Sequence, residues 1–172
     1  MDVNSLLKQQ IEMAHGIVEG TAADLTQEMC DNIPGGKAHP IGATYAHIVM
    51  SEDFIVNMII RGSTPLAMSS HAGKTGASEP PPMPGGDTFA WANRVKVDMA
   101  QAREYAQAVY KNTLDYVASL APAELEREID VPGFGKNPLS YYVSIATIVH
   151  PSNHIGEVSA MKGVLGARGY PF

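Results

Sequence analysis

The sequence predicts an all-α fold, a four-helix bundle with a long crossover between its second and third helices. Three observations predict it. Apolar residues recur every three or four positions along four separate stretches, the period of a helix that buries one face. Between those stretches lie Gly- and Pro-rich segments, the usual punctuation of turns. One such segment, residues 63–86, is long enough to carry the chain back along the whole bundle.

The first helix is expected over residues 3–18, with Val3, Leu6, Leu7, Ile11, Met13, Ile17 and Val18 facing inward and Asp2 or Asn4 as cap. A short helical turn in "DLTQEMCDNIPGGK" then closes at Pro34-Gly35-Gly36. The second helix runs from Pro40, which suits a first turn because its missing N–H costs nothing there, to Arg61, and Gly62 ends it. The third spans residues 88–120, capped by Asp87 or Thr88. Its inward stripe is Trp91, Val95, Met99, Ala102, Ala106, Val109, Thr113, Val117 and Leu120. "APAEL" starts a further short turn, and "IDVPGFGKNPLS" is a link with room for a small strand. The fourth helix covers residues 138–165. Short loops make neighbours antiparallel, whereas the crossover lets helices two and three run parallel.

At 172 residues, 45% apolar and 17% charged, the chain is long enough for a full core and is read as a single domain over residues 1–172. Its net charge of −6, without a Lys/Arg stripe, opposes binding to nucleic acid or to anionic lipid. The apolar run "IGATYAHIVMSEDFIVNMII" is broken by Glu52 and Asp53, so it reads as a buried helix and not a membrane span. Cys30 is the single cysteine, which excludes an intramolecular disulfide and fits a cytoplasmic setting. "MDVNSLLKQQ" has neither the basic start nor the apolar run of a signal peptide.

The six histidines sort by helical row. His15 shares its row with Lys8, Glu12 and Glu19 and is expected in solvent. His39 before Pro40 and His71 in the crossover read as surface residues. His47 lies among Ala43, Thr44, Met50, Phe54 and Met58, an inward face. His150 and His154, in "VHPSNHIGE", share an inward row with Val143, Ala146, Thr147 and Met161. Three neutral imidazoles aimed at one interior suit zinc, nickel, iron or cobalt and leave a coordination position open. The spacing alone leaves the alternative of ordinary core histidines, each needing a hydrogen-bond partner to offset its burial. Pro151 sits between the pair. Inside an α-helix it costs about 3 kcal/mol through a lost hydrogen bond and a clash with the carbonyl of Thr147. Either the helix kinks at Thr147, or one segment ends at His150 and Pro151 opens the next.

Two segments, "HPIGATYAHIVMSED" and "HPSNHIGEVSAMKGVLGARGYPF", resemble the second and last helices of the DinB/YfiT-like superfamily of small helical-bundle metalloproteins. The first holds His47 with Glu52 five residues on; the second holds the HxxxH pair, followed by Gly156 and Glu157. The resemblance implies a bundle, often a homodimer, with His47, His150 and His154 as ligands of a divalent metal, zinc or nickel. Pro151 stands where relatives keep a helix former, and Asn153 where many carry another histidine. By the same resemblance the chain is a metal-dependent enzyme acting on a small molecule with a low-molecular-weight thiol as co-substrate, an S-transferase. Metal-dependent hydrolysis and a non-catalytic dimeric metal module are the alternatives; DNA repair, which the superfamily name suggests, is opposed by the acidic charge.

Glu52 lies about 140° around its helix from His47, which argues against ligation and for a structural pair with a Lys or Arg. Glu157, one turn beyond His154, is the candidate catalytic residue, as general base, or else orients a ligand. Tyr141, Tyr142 and Trp91 are candidates to line a pocket, and the apolar second helix a dimer surface.

Overall fold

The computed structural model describes residues 2–83, 85–131 and 133–172. Helix α1, Val3–Ala22, begins at Asp2, whose carboxylate accepts from the Ser5 N–H at 2.9 Å and satisfies one of the free donors of the first turn. Its buried face is Leu7, Ile11, Ala14, His15, Val18, Thr21 and Ala22. The expected stripe was partly misassigned. Val3, Leu6 and Met13 are 50%, 45% and 60% exposed, because the face covered by neighbouring helices is centred one row away from theirs. That same rotation buries His15, which was expected in solvent.

After α2, Gln27–Asp31, capped by Thr26, the chain enters α3, Ile41–Asp53, directly behind Pro40. Residues 54–60 do not continue it as an α-helix. They form a π segment, Phe54–Ile60, a stretch carrying the β-branched residues Ile55, Val56, Ile59 and Ile60, which crowd an α turn. Gly62, at φ +63°, then reverses the chain as only glycine does easily. Nearly every side of α3 is covered by its own chain, whereas Ile59 of the π segment is 38% exposed.

The crossover is clamped rather than loose. The buried Asp53 carboxylate accepts from the N–H groups of Leu66 and Ala67, both at 2.9 Å. Ala77 bridges to Val97, and Gly76, at φ +79°, passes so close to Ala102 that a Cβ would lie 2.5 Å from its nitrogen. Pro84, also part of this segment in the sequence, lies outside the described residues.

The single helix expected over 88–120 is two helices, α4, Thr88–Ala92, and α5, Met99–Ser119. Asn93 closes α4 by donating from its side chain to the Phe89 carbonyl, and Asp98 caps α5 through the Gln101 N–H. Between them Val97 is taken up by the bridge to Ala77. The predicted stripe from Trp91 to Leu120 is buried despite the break. A short α6, Pro122–Leu125, leads to an antiparallel hairpin, β1 (Glu128–Val131) with β2 (Gly135–Pro138), pairing Glu128 with Pro138 and Val131 with Gly135. The last helical stretch is α7, Leu139–Ser144, a π segment, Ile145–Val149, and α8, His150–Val164.

Helices α1 and α3 each pack against both α5 and α8. Cross-helix contacts fix their directions. Asn4 reaches the Leu120 carbonyl and Arg103 the Ala22 carbonyl, so α1 and α5 are antiparallel. Gly42 lies on Val97, Asp53 on Tyr105 and Arg61 on Asn112, so α3 and α5 run parallel, as the crossover implied. Lys162 of α8 is buried and donates to the Thr21 carbonyl at 2.6 Å, tying the ends of α1 and α8 together. Among the described residues no helix is long and apolar enough to cross a membrane.

Candidate metal centre

His47 is presented by the middle of α3, and His150 and His154 by the first turn and a half of α8, which packs on it. Pro151 is accommodated much as the second expected arrangement has it: it stands in the first turn of α8, a segment that opens at His150. The backbone stays helical at His150, φ −60° and ψ −54°, but the turn before it is π: the His150 N–H bonds the Ile145 carbonyl, five residues back. The wider turn absorbs the residue that cannot donate and relieves the ring–carbonyl conflict of an α turn. Thr147, in that turn, donates its hydroxyl to the Val143 carbonyl at 2.8 Å. Helical spacing is thereby preserved, and the His150 and His154 rings lie 4.5 Å apart between centroids.

The three rings converge. The His47 ring is 4.9 Å from that of His150 and 4.8 Å from that of His154, and one ligand nitrogen from each residue lies within 4.8 Å of the others. The Nε2 atoms of His47 and His150 are 3.0 Å apart, close to the roughly 3.4 Å separating two nitrogens on a tetrahedral zinc ion. Each outward nitrogen has its own surroundings. The Nδ1–H of His154 donates to Glu157 Oε2 at 3.1 Å, Ser51 Oγ lies 3.4 Å from His47 Nδ1, and His150 Nδ1 is buried without a partner among the described residues. Toward the centre, the Nε2 atoms of His47 and His150 meet each other and no other hydrogen-bonding group among the described residues. Core histidines that merely pack find a carbonyl or carboxylate there. The residues fit a metal ion, because one ring nitrogen from each comes within 4.8 Å of the others, and those of His47 and His150 meet no other hydrogen-bonding group among the described residues.

Electrostatics favours the neutral, ligand-ready rings. Burial, with the charges of His154 and His39 adding to it, lowers His47 from 6.5 to about 4. Burial, then the charges of His154 and His47, lowers His150 to about 3. Both rings therefore take up protons less readily folded than unfolded. The stability they contribute to the metal-free protein is complete above pH 6.5 and is lost as pH falls toward 4 and then 3. The loss is at most about 1.4 kcal/mol per pH unit for each ring. Urea titrations of metal-free protein should show the midpoint falling over that window, and falling less steeply in His150→Ala; a flat midpoint would contradict the burial of these rings.

The other histidines do not join the centre. His15 Nε2 lies 3.1 and 2.9 Å from the two oxygens of Glu52, which is itself 1% exposed, and its ring stacks on Tyr110 at 3.9 Å. The partner expected for Glu52 was a Lys or Arg. It is the histidine assigned to solvent, and the signal available was Glu52 itself, an acid on an apolar row that needed a donor from another helix. His39 faces Phe89 at 6.0 Å, and His71, half-buried, faces Tyr105 at 5.7 Å. Asn153 is exposed. Trp91 is buried 6.4 Å from the His47 ring and walls the centre. Tyr141 and Tyr142 instead pack on one another at 5.3 Å, and Tyr142 donates to the Gly135 carbonyl of the hairpin. Cys30 is buried and its thiol is pushed up to about 11 by burial, so it is no nucleophile.

Sequence reasoning missed Ser51 beside His47 and a buried network built on Asp53, which accepts from the Tyr105 hydroxyl at 2.6 Å and the Asn57 amide at 2.7 Å.

The fold is similar to that of a conserved protein from Enterococcus faecalis whose crystal structure is known, with a TM-score of 0.81 and 21% identity, covering 96% of this chain and 99% of that one. No curated protein matches the chain. The family model described as the DinB superfamily matches residues 10–158, a span that contains all three converging histidines and most of the helical core. The chain belongs to the DinB superfamily.

Proposed function

We propose that His47, His150 and His154 hold a divalent ion, zinc or nickel, and that the chain uses it as an enzyme on a small molecule, transferring a low-molecular-weight thiol to an electrophile. The convergence of three imidazole nitrogens within 4.8 Å carries this reading. An ion bound there lowers the pKa of a thiol or water and polarises a carbonyl. The group of ligating side chains stops at three among the described residues, which supports an open position over a closed structural shell.

The chain's own residues then have separable tasks. His47 and His150 offer neutral nitrogens because burial keeps protons off them. Glu157 holds the proton on Nδ1 of His154 and so keeps the opposite nitrogen free. This contact supports a positioning role; as a general base Glu157 would have to give it up. Trp91 keeps solvent from one side of the rings.

The test is to load metal-free protein with zinc or nickel and count ions by elemental analysis, then to follow consumption of small thiols against a panel of electrophiles. Thiol consumption that requires the ion supports the transferase. Ester or amide cleavage in its place favours the hydrolase, and a bound ion with neither activity favours a structural metal. Alanine at Glu157 should weaken the ion by about 10- to 100-fold without unfolding the protein; undiminished affinity would remove its positioning role.

A further inference from the structure

Beyond the end of α3, an open cavity of about 490 Å³ lies between the π segment Phe54–Ile60, the start of the crossover and α5. Asn57, Arg61, Ser63, Thr64, Lys111 and Asn112 are among its lining residues, and none of the three converging histidines is. Its volume is in the range of small-molecule sites.

Arg61 lines this cavity without a salt bridge to any carboxylate among the described residues; the one acidic lining residue, Asp115, is engaged by Lys111. Its guanidinium lies over the Tyr116 ring at 4.9 Å. One nitrogen, Nη1, donates to Asn57 Oδ1 at 2.6 Å and to Asn112 Oδ1 at 3.0 Å. Both acceptors are neutral amides, and both use the same nitrogen. Nε and Nη2, the other edge of the fork, make no hydrogen bond to the described residues. Lys111 differs, because it is paired with Asp115 at 2.5 Å, so those two charges cancel.

The guanidinium is also held from behind. Asn57 donates to Asp53, and Asp53 is fixed in the core by the Tyr105 hydroxyl and by the backbone of Leu66 and Ala67. A stacked arginine that lines an open cavity, with its position set by neutral amides and two nitrogens without a hydrogen bond to the described residues, has the form of an oxyanion receptor. The planar fork matches two oxygens of a carboxylate or a phosphate. The Thr64 hydroxyl, without a partner among the described residues, is a further donor at the rim.

We propose that this cavity binds a small organic anion through the free edge of Arg61, at a carboxylate or phosphate group. The site is separate from the histidine centre, and the proposal holds whether or not that centre is catalytic.

Calorimetric titration of the full chain at low ionic strength, with inorganic phosphate and separately with acetate, tests it. One of the two should saturate at about one anion per chain, and which one does so names the group recognised. Affinity should fall about tenfold or more in Arg61→Gln, the loss of a charge-assisted hydrogen bond. Asn112→Asp keeps the arginine but sets a carboxylate against Nη1, and should weaken binding as well. Metal content should be unchanged in both variants. The proposal is overturned if neither anion saturates, or if binding survives either substitution at wild-type strength. Should Arg61→Gln fail to fold, Asn112→Asp decides.

Discussion

Alanine at His150 should empty the proposed metal centre: ions per chain are expected to fall from about one to a trace by elemental analysis, because two imidazoles seldom retain a divalent ion through purification. The helical circular dichroism signal should survive. Nothing in the fold depends on this ring for a hydrogen bond, since its Nε2 meets only His47 and its Nδ1 has no partner among the described residues. Removing it therefore takes away two poorly satisfied polar atoms and leaves a small cavity, effects of opposite sign. A histidine that merely stabilised the core would behave the other way, leaving the metal content alone and lowering stability. The two measurements together separate a ligand from a packing residue. Alanine at His47 should give the same result from the opposite helix, and persistence of stoichiometric metal in both variants would sink the centre.

That centre was legible in the sequence because its signals are local. Four-residue spacing sets His150 and His154 on one row, and the apolar neighbours of His47 turn it inward. The long crossover likewise announced that α3 and α5 run parallel. What escaped the sequence was decided at a distance. The chain leaves its helix at 93–98 because Val97 finds Ala77 and Asp98 finds an N–H to cap, and Ala77 belongs to a loop with no period of its own. The π segments escaped because a hydrogen bond to the fifth residue back instead of the fourth leaves little trace in composition. Pro151 announced a new helical segment beginning beside it, but not that the turn before that segment would widen to a π turn. His15 escaped for a third reason. Its row also holds Lys8, Glu12 and Glu19, and the last of these is itself drawn inward, accepting from the hydroxyls of Tyr45 and Tyr110. Polar residues on a helix row mark solvent only when no other helix brings them partners.

Replacing Glu52 by alanine should destabilise the protein by about 3–5 kcal/mol, the cost of stripping one member from a buried pair. Thermal unfolding should move down by roughly 10 °C in a chain of this size. The reason lies in what remains. His15 is 5% exposed, its Nδ1 already lacks a partner among the described residues, and Glu52 supplies the acceptors near Nε2 at 2.9 and 3.1 Å. Without the carboxylate, a whole imidazole stands between α1 and α3 with no hydrogen-bond partner among the described residues, stacked on Tyr110. Leucine at both positions removes both polar groups and restores apolar volume, and should recover most of the loss. A double-mutant cycle on urea unfolding reads the coupling directly. A cost below about 1 kcal/mol for Glu52→Ala, the level of an exposed ion pair, would show that the pair does not hold these helices together. Metal content per folded chain should not change in any of these variants, because Glu52 spends both oxygens on His15 and offers none to the three converging rings.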